Sequence, residues 1–174
     1  MDETLFAGVV PAPRVPGAGA LVSDGLRVLA LDLGTRCGWA WLEPEAPLRW
    51  GSWDLARAGA FDGYGARLFN LYHQLGRLRP ELIVYEDVRR HLGVEAAHFY
   101  GALVGTLLLW CAHQQEPVAY ASVGVGAVKK HATGKGNAKK PAMIEAARRR
   151  WGEVDDADQA DALWLLATYL EVPR

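Results

Sequence analysis

Arg27-Val28-Leu29-Ala30-Leu31-Asp32-Leu33-Gly34-Thr35-Arg36-Cys37-Gly38-Trp39-Ala40-Trp41-Leu42 is the stretch on which the fold turns. Its apolar opening, Arg27 to Leu33, reads as a strand with the carboxylate of Asp32 at its C-terminal end. Gly34 and Thr35 mark a turn. Gly38 to Leu42 gives a second strand, and the period of two puts Trp39 and Trp41 on one face. Leu48 to Leu55 reads as a third, set off by Pro44 and Pro47. Short strands joined by short turns suit an antiparallel meander.

Downstream the period changes. Leu68, Leu71, Leu75 and Leu78 recur at helical spacing, which predicts a helix over Tyr64 to Leu78, stopped before Pro80. Leu82 to Tyr85 is a short apolar strand of the kind buried on both faces, and it stops at Glu86 and Asp87. Glu95 to His113 reads as a long apolar helix and Val118 to Ala121 as another buried strand. A helix from about Ala138 to Arg150 follows a basic stretch, and Asp155 or Asp156 starts a last helix that ends near Leu170. Hairpins followed by strand–helix crossovers predict an α/β fold: a mixed five-stranded sheet flanked by helices on both sides. Residues 1–24, with Pro11, Pro13 and Pro16, read as a flexible N-terminal tail, and residues 25–174 as one domain.

A chain of 174 residues, 51% of them hydrophobic, has enough apolar material for one core and too little length for two. The longest apolar stretch, Ala102 to Ala112, is too short to span a bilayer. Met1 is followed by Asp2 and Glu3, the wrong start for a secretory signal. Cys37 and Cys111 fit neither a metal motif nor a disulfide framework, and reduced core thiols imply a cytoplasmic protein. His73, His91, His98, His113 and His131 form no ligand spacing, although His131 lies where it could touch a phosphate.

The net charge of −1 conceals a strong asymmetry. All five lysines lie between Lys129 and Lys140, and Arg148, Arg149 and Arg150 follow. Against the single acid Glu145 this segment carries +7, which leaves −8 for the rest of a chain whose total is −1. A local patch of that kind, rather than the total, is what an anionic polymer meets. Gly134 and Gly136 interrupt the lysines and predict a flexible loop that bends around phosphate.

The acids are the candidate chemistry. Asp32 and Glu86 end two strands, and neighbouring strands would bring them to one rim. Asp158 and Asp161 are three apart on a helix and point the same way. Asp32 could be only a turn residue, and Asp155 to Asp158 only a capping box. Glu86, directly after Leu82-Ile83-Val84-Tyr85, would be costly to bury without a partner. Four carboxylates at one place repel each other unless cations lie between them, and hard oxygen donors suit Mg²⁺ or Mn²⁺ rather than zinc. Two such ions roughly 4 Å apart can activate a water and stabilise the leaving oxygen of a phosphodiester.

Three segments, Leu29-Ala30-Leu31-Asp32-Leu33-Gly34-Thr35-Arg36, Ile83-Val84-Tyr85-Glu86-Asp87-Val88 and Asp158-Gln159-Ala160-Asp161-Ala162-Leu163, resemble the acidic motifs of the RuvC Holliday-junction resolvases in order and spacing. Val128-Lys129-Lys130 through Lys139-Lys140 resembles the basic segment of that family, and the likeness covers residues 27 to about 170. The resemblance implies a ribonuclease-H-like fold and a homodimeric endonuclease of DNA recombination and repair. Such an enzyme places paired symmetric nicks in four-way junctions and leaves 5′-phosphates. It implies Asp32, Glu86, Asp158 and Asp161 as ligands of two Mg²⁺ or Mn²⁺ ions per site, with Lys140 catalytic beside them. It also implies DNA contacts from Arg89, Lys129, Lys130, Lys135, Lys139 and Lys140. Lys129 and Lys140 match family lysines near the scissile phosphate. Gly101 and Gly105, on the helix that matches the family's dimer seam, would let two backbones approach. Arg89 stands where the family usually carries an aromatic wedge, which points to wider specificity for flaps and forks.

Leu31-Asp32-Leu33-Gly34-Thr35 also looks like the first phosphate motif of the sugar-kinase and chaperone ATPases. Those proteins clamp a nucleotide between two such lobes, and this chain supplies one, so no nucleotide cofactor and no membrane are expected. A non-catalytic junction-binding protein on the same fold is the other reading. It gives no reason for a complete set of four acids.

Overall fold

The computed structural model describes residues 25–55, 63–89 and 93–173. The tail expected over residues 1–24 and His91 lie outside the described residues. Five strands form one sheet in the order β3-β2-β1-β4-β5. These are β1 (Val28–Asp32), β2 (Arg36–Leu42), β3 (Arg49–Asp54), β4 (Leu82–Asp87) and β5 (Ala119–Gly124). β1, β2 and β3 make the antiparallel meander, whereas β4 lies parallel to β1 and β5 parallel to β4. The helices are α1 (Tyr64–Leu78), α2 (Val94–Ala112), α3 (Val125–Thr133), α4 (Lys140–Trp151) and α5 (Ala157–Glu171).

Strand alternation splits the core in two. Leu29, Leu31, Trp39, Trp41 and Ile83 face α1 and α2, joined by Leu71, Leu75, Leu103 and Leu107. Val28, Ala30, Ala40, Leu82 and Val84 face the other way, against α5 with α3 and α4 around it. This three-layer arrangement is the mixed sheet that the order of elements predicts. Cys37 and Cys111 are free thiols in the core, and Trp110 is buried there too.

Three expectations need correction. β5 is not a buried strand. It lies at the sheet edge with Ala119, Tyr120 and Ser122 exposed, because α2 and α5 reach little of it. The basic stretch is not one loop, since Lys129 and Lys130 lie on α3 and only Gly134 to Lys139 connect α3 with α4. The long apolar segment is a helix of 19 residues, which by length and composition alone could cross a bilayer. Here its stripe of Phe99, Leu103 and Leu107 forms part of the core.

Candidate active site

The strand period does the first positioning. Val28 and Ala30 of β1 enter the core on the α5 side, and Asp32 is next on that face. Leu82 and Val84 of β4 do the same, and Glu86 follows. β1 and β4 hold one register from Val28↔Leu82 to Leu31↔Tyr85. Carried one residue further, it sets Asp32 level with Glu86.

α5 supplies the other two acids. Its N-cap is Asp156, whose carboxylate accepts the Gln159 N–H at 2.9 Å, while the Gln159 side chain accepts the Asp155 N–H at 3.1 Å. The cap is therefore built on Asp156, with the Gln159 side chain reaching back to Asp155, and not on Asp155 and Asp158. Asp158 has no share in the cap, and with Asp161 it sits on one face of the first helical turns. α5 lies directly on β2 at Gly38, where an added Cβ would meet the Asp158 carbonyl oxygen at 1.9 Å. Gly38 is also the partner of Asp32 in the β1–β2 ladder, so this close approach of helix to sheet falls beside that carboxylate. Arg36 lies two residues earlier on the same strand. Its Nη2 donates to Asp156 Oδ2 at 2.6 Å and to Ser52 Oγ at 3.0 Å, and its Nε lies 3.5 Å from Asp158 Oδ2. One guanidinium thus ties β2, β3 and α5 together.

The four carboxylates act on one another. Burial, then Glu86, Asp161 and Asp158, hold the Asp32 carboxyl well above the usual carboxylate range, and Lys140 opposes them. Burial and then Asp161 push Glu86 up to about 7 against the pull of Lys129. Burial also raises Asp161, to about 6, with Lys129 and Lys140 lowering it and Asp158 raising it. Asp158 is raised by burial and by Asp156, and lowered by Lys140 and Arg36. These couplings define one cluster of four acids and two lysines from β1, β4, α5, α3 and α4.

The acids face each other without closing. Among the described residues no three His, Cys, Asp or Glu side chains are gathered tightly enough to ligate one ion. Asp158 has Arg36 on one side of it, at 3.5 Å. The donor set is entirely carboxylate oxygen, which fits Mg²⁺ or Mn²⁺. A divalent cation among these groups would favour the charged forms that burial, first, and neighbouring carboxylates, second, now disfavour.

The remaining basic residues stand apart from the cluster. Lys130 and Lys135 are exposed, and Lys139 is the exposed N-cap of α4. Arg89 projects into solvent past the end of β4, with its Nε 2.8 Å from Asp87 Oδ2. His131 packs against α5. Its ring lies 3.1 Å from Thr168 Oγ1, 3.3 Å from the Glu171 carboxylate and edge-on to Trp164. Sequence reasoning gave Arg36 and Gly38 no role at the site, and named Asp156 only as one of two possible starts of the last helix. A glycine inside a strand signals close backbone approach, so Gly38 carried a legible mark. Arg36 carried none, because its partners are 16 and 120 residues away.

Comparison with solved structures places this architecture. The Thermus thermophilus RuvC in complex with Holliday junction substrate superposes with a TM-score of 0.64 at 21% identity, covering 82% of this chain and 92% of that one. A second Thermus thermophilus RuvC structure gives 0.59 at 22% identity with the same coverage. The yeast mitochondrial Holliday junction resolvase Ydc2 gives 0.57 at 16% identity, over 84% of this chain and 78% of that one. By sequence alone, no protein-family model and no curated protein matches. The chain has the RuvC-like, ribonuclease-H-like fold.

Proposed function

We propose that this protein is a metal-dependent DNA endonuclease that resolves four-way junctions by paired nicks and works as a symmetric homodimer. The observation that carries the reading is the meeting of Asp32, Glu86, Asp158 and Asp161 at one sheet rim beside Lys129 and Lys140. A purely structural rim has no reason to gather buried acids that disfavour one another's charge, as Asp32 is disfavoured by Glu86, Asp161 and Asp158 after its own burial. The likeness to a resolvase solved with its junction substrate supports branched DNA as the ligand.

The four acids would hold two Mg²⁺ or Mn²⁺ ions, which when bound supply an activated water and stabilise the leaving oxygen. Gly38, Arg36 and Asp156 fix the two α5 acids relative to the sheet before DNA arrives. Lys140, at the head of α4 and coupled to three of the acids, is placed to stabilise negative charge growing on the scissile phosphate. Lys129 faces Glu86 and Asp161 from α3, and Lys130, Lys135 and Lys139 meet the phosphate backbone outside the cluster. The open stripe of Gly101, Gly105 and Leu109 on α2, next to the exposed edge strand β5, is the isologous dimer seam.

The exposed guanidinium of Arg89 favours a second specificity reading. Arginine grips phosphate as readily as it stacks on bases, so cleavage extends to flaps and forks. The test is cleavage of labelled junctions, flaps and duplexes with Mg²⁺. Junction and fork cutting that is lost in Glu86→Gln supports the proposal. Tight junction binding without cutting in any divalent metal would leave a non-catalytic junction binder.

A further inference from the structure

Tyr100 lies on α2, which carries none of the four acids, yet its hydroxyl is bonded to the backbone on both sides of Asp87. It donates to the Glu86 carbonyl at 2.5 Å and accepts the Val88 N–H at 3.2 Å. One oxygen thus takes the C=O of residue 86 and the N–H of residue 88, the alternate pair that a residue on a parallel neighbouring strand would take. The β1–β4 ladder ends at Leu31↔Tyr85, one residue short of these groups. The Tyr100 hydroxyl therefore extends the pairing of β4 past the point where β1 stops.

That extension falls where it is needed. Glu86 is the first residue of β4 beyond the β1–β4 ladder, so whatever fixes the strand end there also fixes the position of that acid. Without Tyr100 the strand end would be paired with β5 alone. Beyond Val88 the same segment carries Arg89, whose guanidinium is paired with Asp87.

We propose that Tyr100 is a positioning residue: its hydroxyl pins the end of β4 so that the Glu86 carboxylate is held toward Asp32 and Asp161. The proposal rests on the metal-site reading given above, and it assigns to α2 a part in the site that the acidic motifs do not contain. Partners that orient metal-binding groups typically contribute about 10–100-fold to metal affinity or activity.

The experiment is Tyr100→Phe in the full chain, which keeps the ring and removes the hydroxyl. Mn²⁺ binding to the protein alone is measured by calorimetry, junction cleavage by single turnover, and exchange of the Val88 amide by hydrogen–deuterium exchange. Expected are faster Val88 exchange, Mn²⁺ affinity lower by about tenfold and a similar fall in cleavage rate. The same substitution in a Glu86→Gln background should cost no further Mn²⁺ affinity, since Tyr100 acts through Glu86. A general destabilisation would lower affinity in both backgrounds and overturn the proposal. So would unchanged Mn²⁺ affinity and cleavage with accelerated Val88 exchange, because the hydrogen bonds would then hold nothing that matters to the site. Wild-type protein that takes up no Mn²⁺ and cuts no junction would remove the metal-site reading itself, a result distinct from either.

Discussion

α2 and α5 are both apolar over most of their length, and the fold treats them in opposite ways. α5 crosses the middle of the sheet, touching β1 through β5 with α3 and α4 against its flanks, and everything from Ala162 to Thr168 is buried. α2 buries one stripe, Phe99, Leu103, Leu107 and Trp110 with Cys111, half-buries Tyr100, Val104 and Leu108 beside it, and leaves its outer face open. Val94 is 71% exposed and Leu109 64%, and Gly101 and Gly105 have open space beside them. A helix apolar on every side is normally covered on every side. Among the described residues the apolarity of α5 is explained by its cover and that of the outer face of α2 is not. Helix composition alone therefore does not say whether cover comes from the same chain or from another, and the difference separates a core helix from a seam.

The largest effect tests what the buried helix carries at its open end. Asp161→Asn or Glu86→Gln should reduce junction cleavage in Mg²⁺ to background, while junction binding in Ca²⁺ stays level or tightens as negative charge leaves the rim. Either variant cutting near the wild-type rate would detach these acids from the chemistry and leave α5 as core alone.

Next comes a direct contrast of the two helices. Leu163, fully buried on α5, should cost about 2–5 kcal/mol on truncation to Ala, read as the midpoint shift in urea. Leu109→Arg on α2 should leave that midpoint within about 0.5 kcal/mol for the monomeric chain, as surface substitutions do. It should instead convert the proposed dimer to monomer in sedimentation. A Leu109→Arg protein that still sediments as a dimer would move the seam elsewhere, with the edge strand β5 and its exposed Tyr120 as the next place to look.

These contrasts follow the line between what the sequence disclosed and what it hid. The acids at Asp32 and Glu86 were legible because strand period and strand ends are local properties. α1 and its stop at Pro80 were legible for the same reason. The exposure of β5 was not, since Val118-Ala119-Tyr120-Ala121 is as apolar as a central strand and only the topology puts it at an edge. The run Asp155, Asp156, Asp158 offered several caps, and which one closed the helix depended on where Gln159 could reach back. α3 was hidden because Gly124 and Gly126 near its start and Gly134 at its end resemble loop punctuation. Its packing through Val128 beneath α5 makes it a helix.

A smaller effect concerns pH. In metal-free protein Glu86 is raised to about 7 and Asp161 to about 6, and burial with its three acidic neighbours raises Asp32 too. Groups raised in the fold contribute stability while protonated, in full below about pH 4 to 4.5, where the unfolded chain titrates too. That contribution is lost as pH rises through 6 and 7. The thermal midpoint of metal-free protein should therefore fall between pH 5 and 8, and Mg²⁺ should restore it most at the alkaline end. Glu86→Gln should flatten the profile. A metal-free midpoint that rises over that interval would contradict the repulsive cluster.

The smallest effect separates two lysines of one segment. Lys140 is coupled to Asp32, Asp158 and Asp161 at the head of α4, whereas Lys135 is exposed in the connection between α3 and α4. Lys140→Ala should lower the single-turnover rate at saturating protein, by about 10²-fold if it stabilises transition-state charge as an oxyanion donor does. Lys135→Ala should leave that rate unchanged, weaken all DNA shapes alike and reduce the salt slope of binding by about one unit. The placement of Lys129 and Lys130 on α3 sharpens the contrast, since only the connection, not the whole lysine run, is free to follow a phosphate backbone. Equal losses of affinity with no loss of saturated rate in either variant would make Lys140 one more backbone contact. The working end of α5 would then be its acids without a cation from α4.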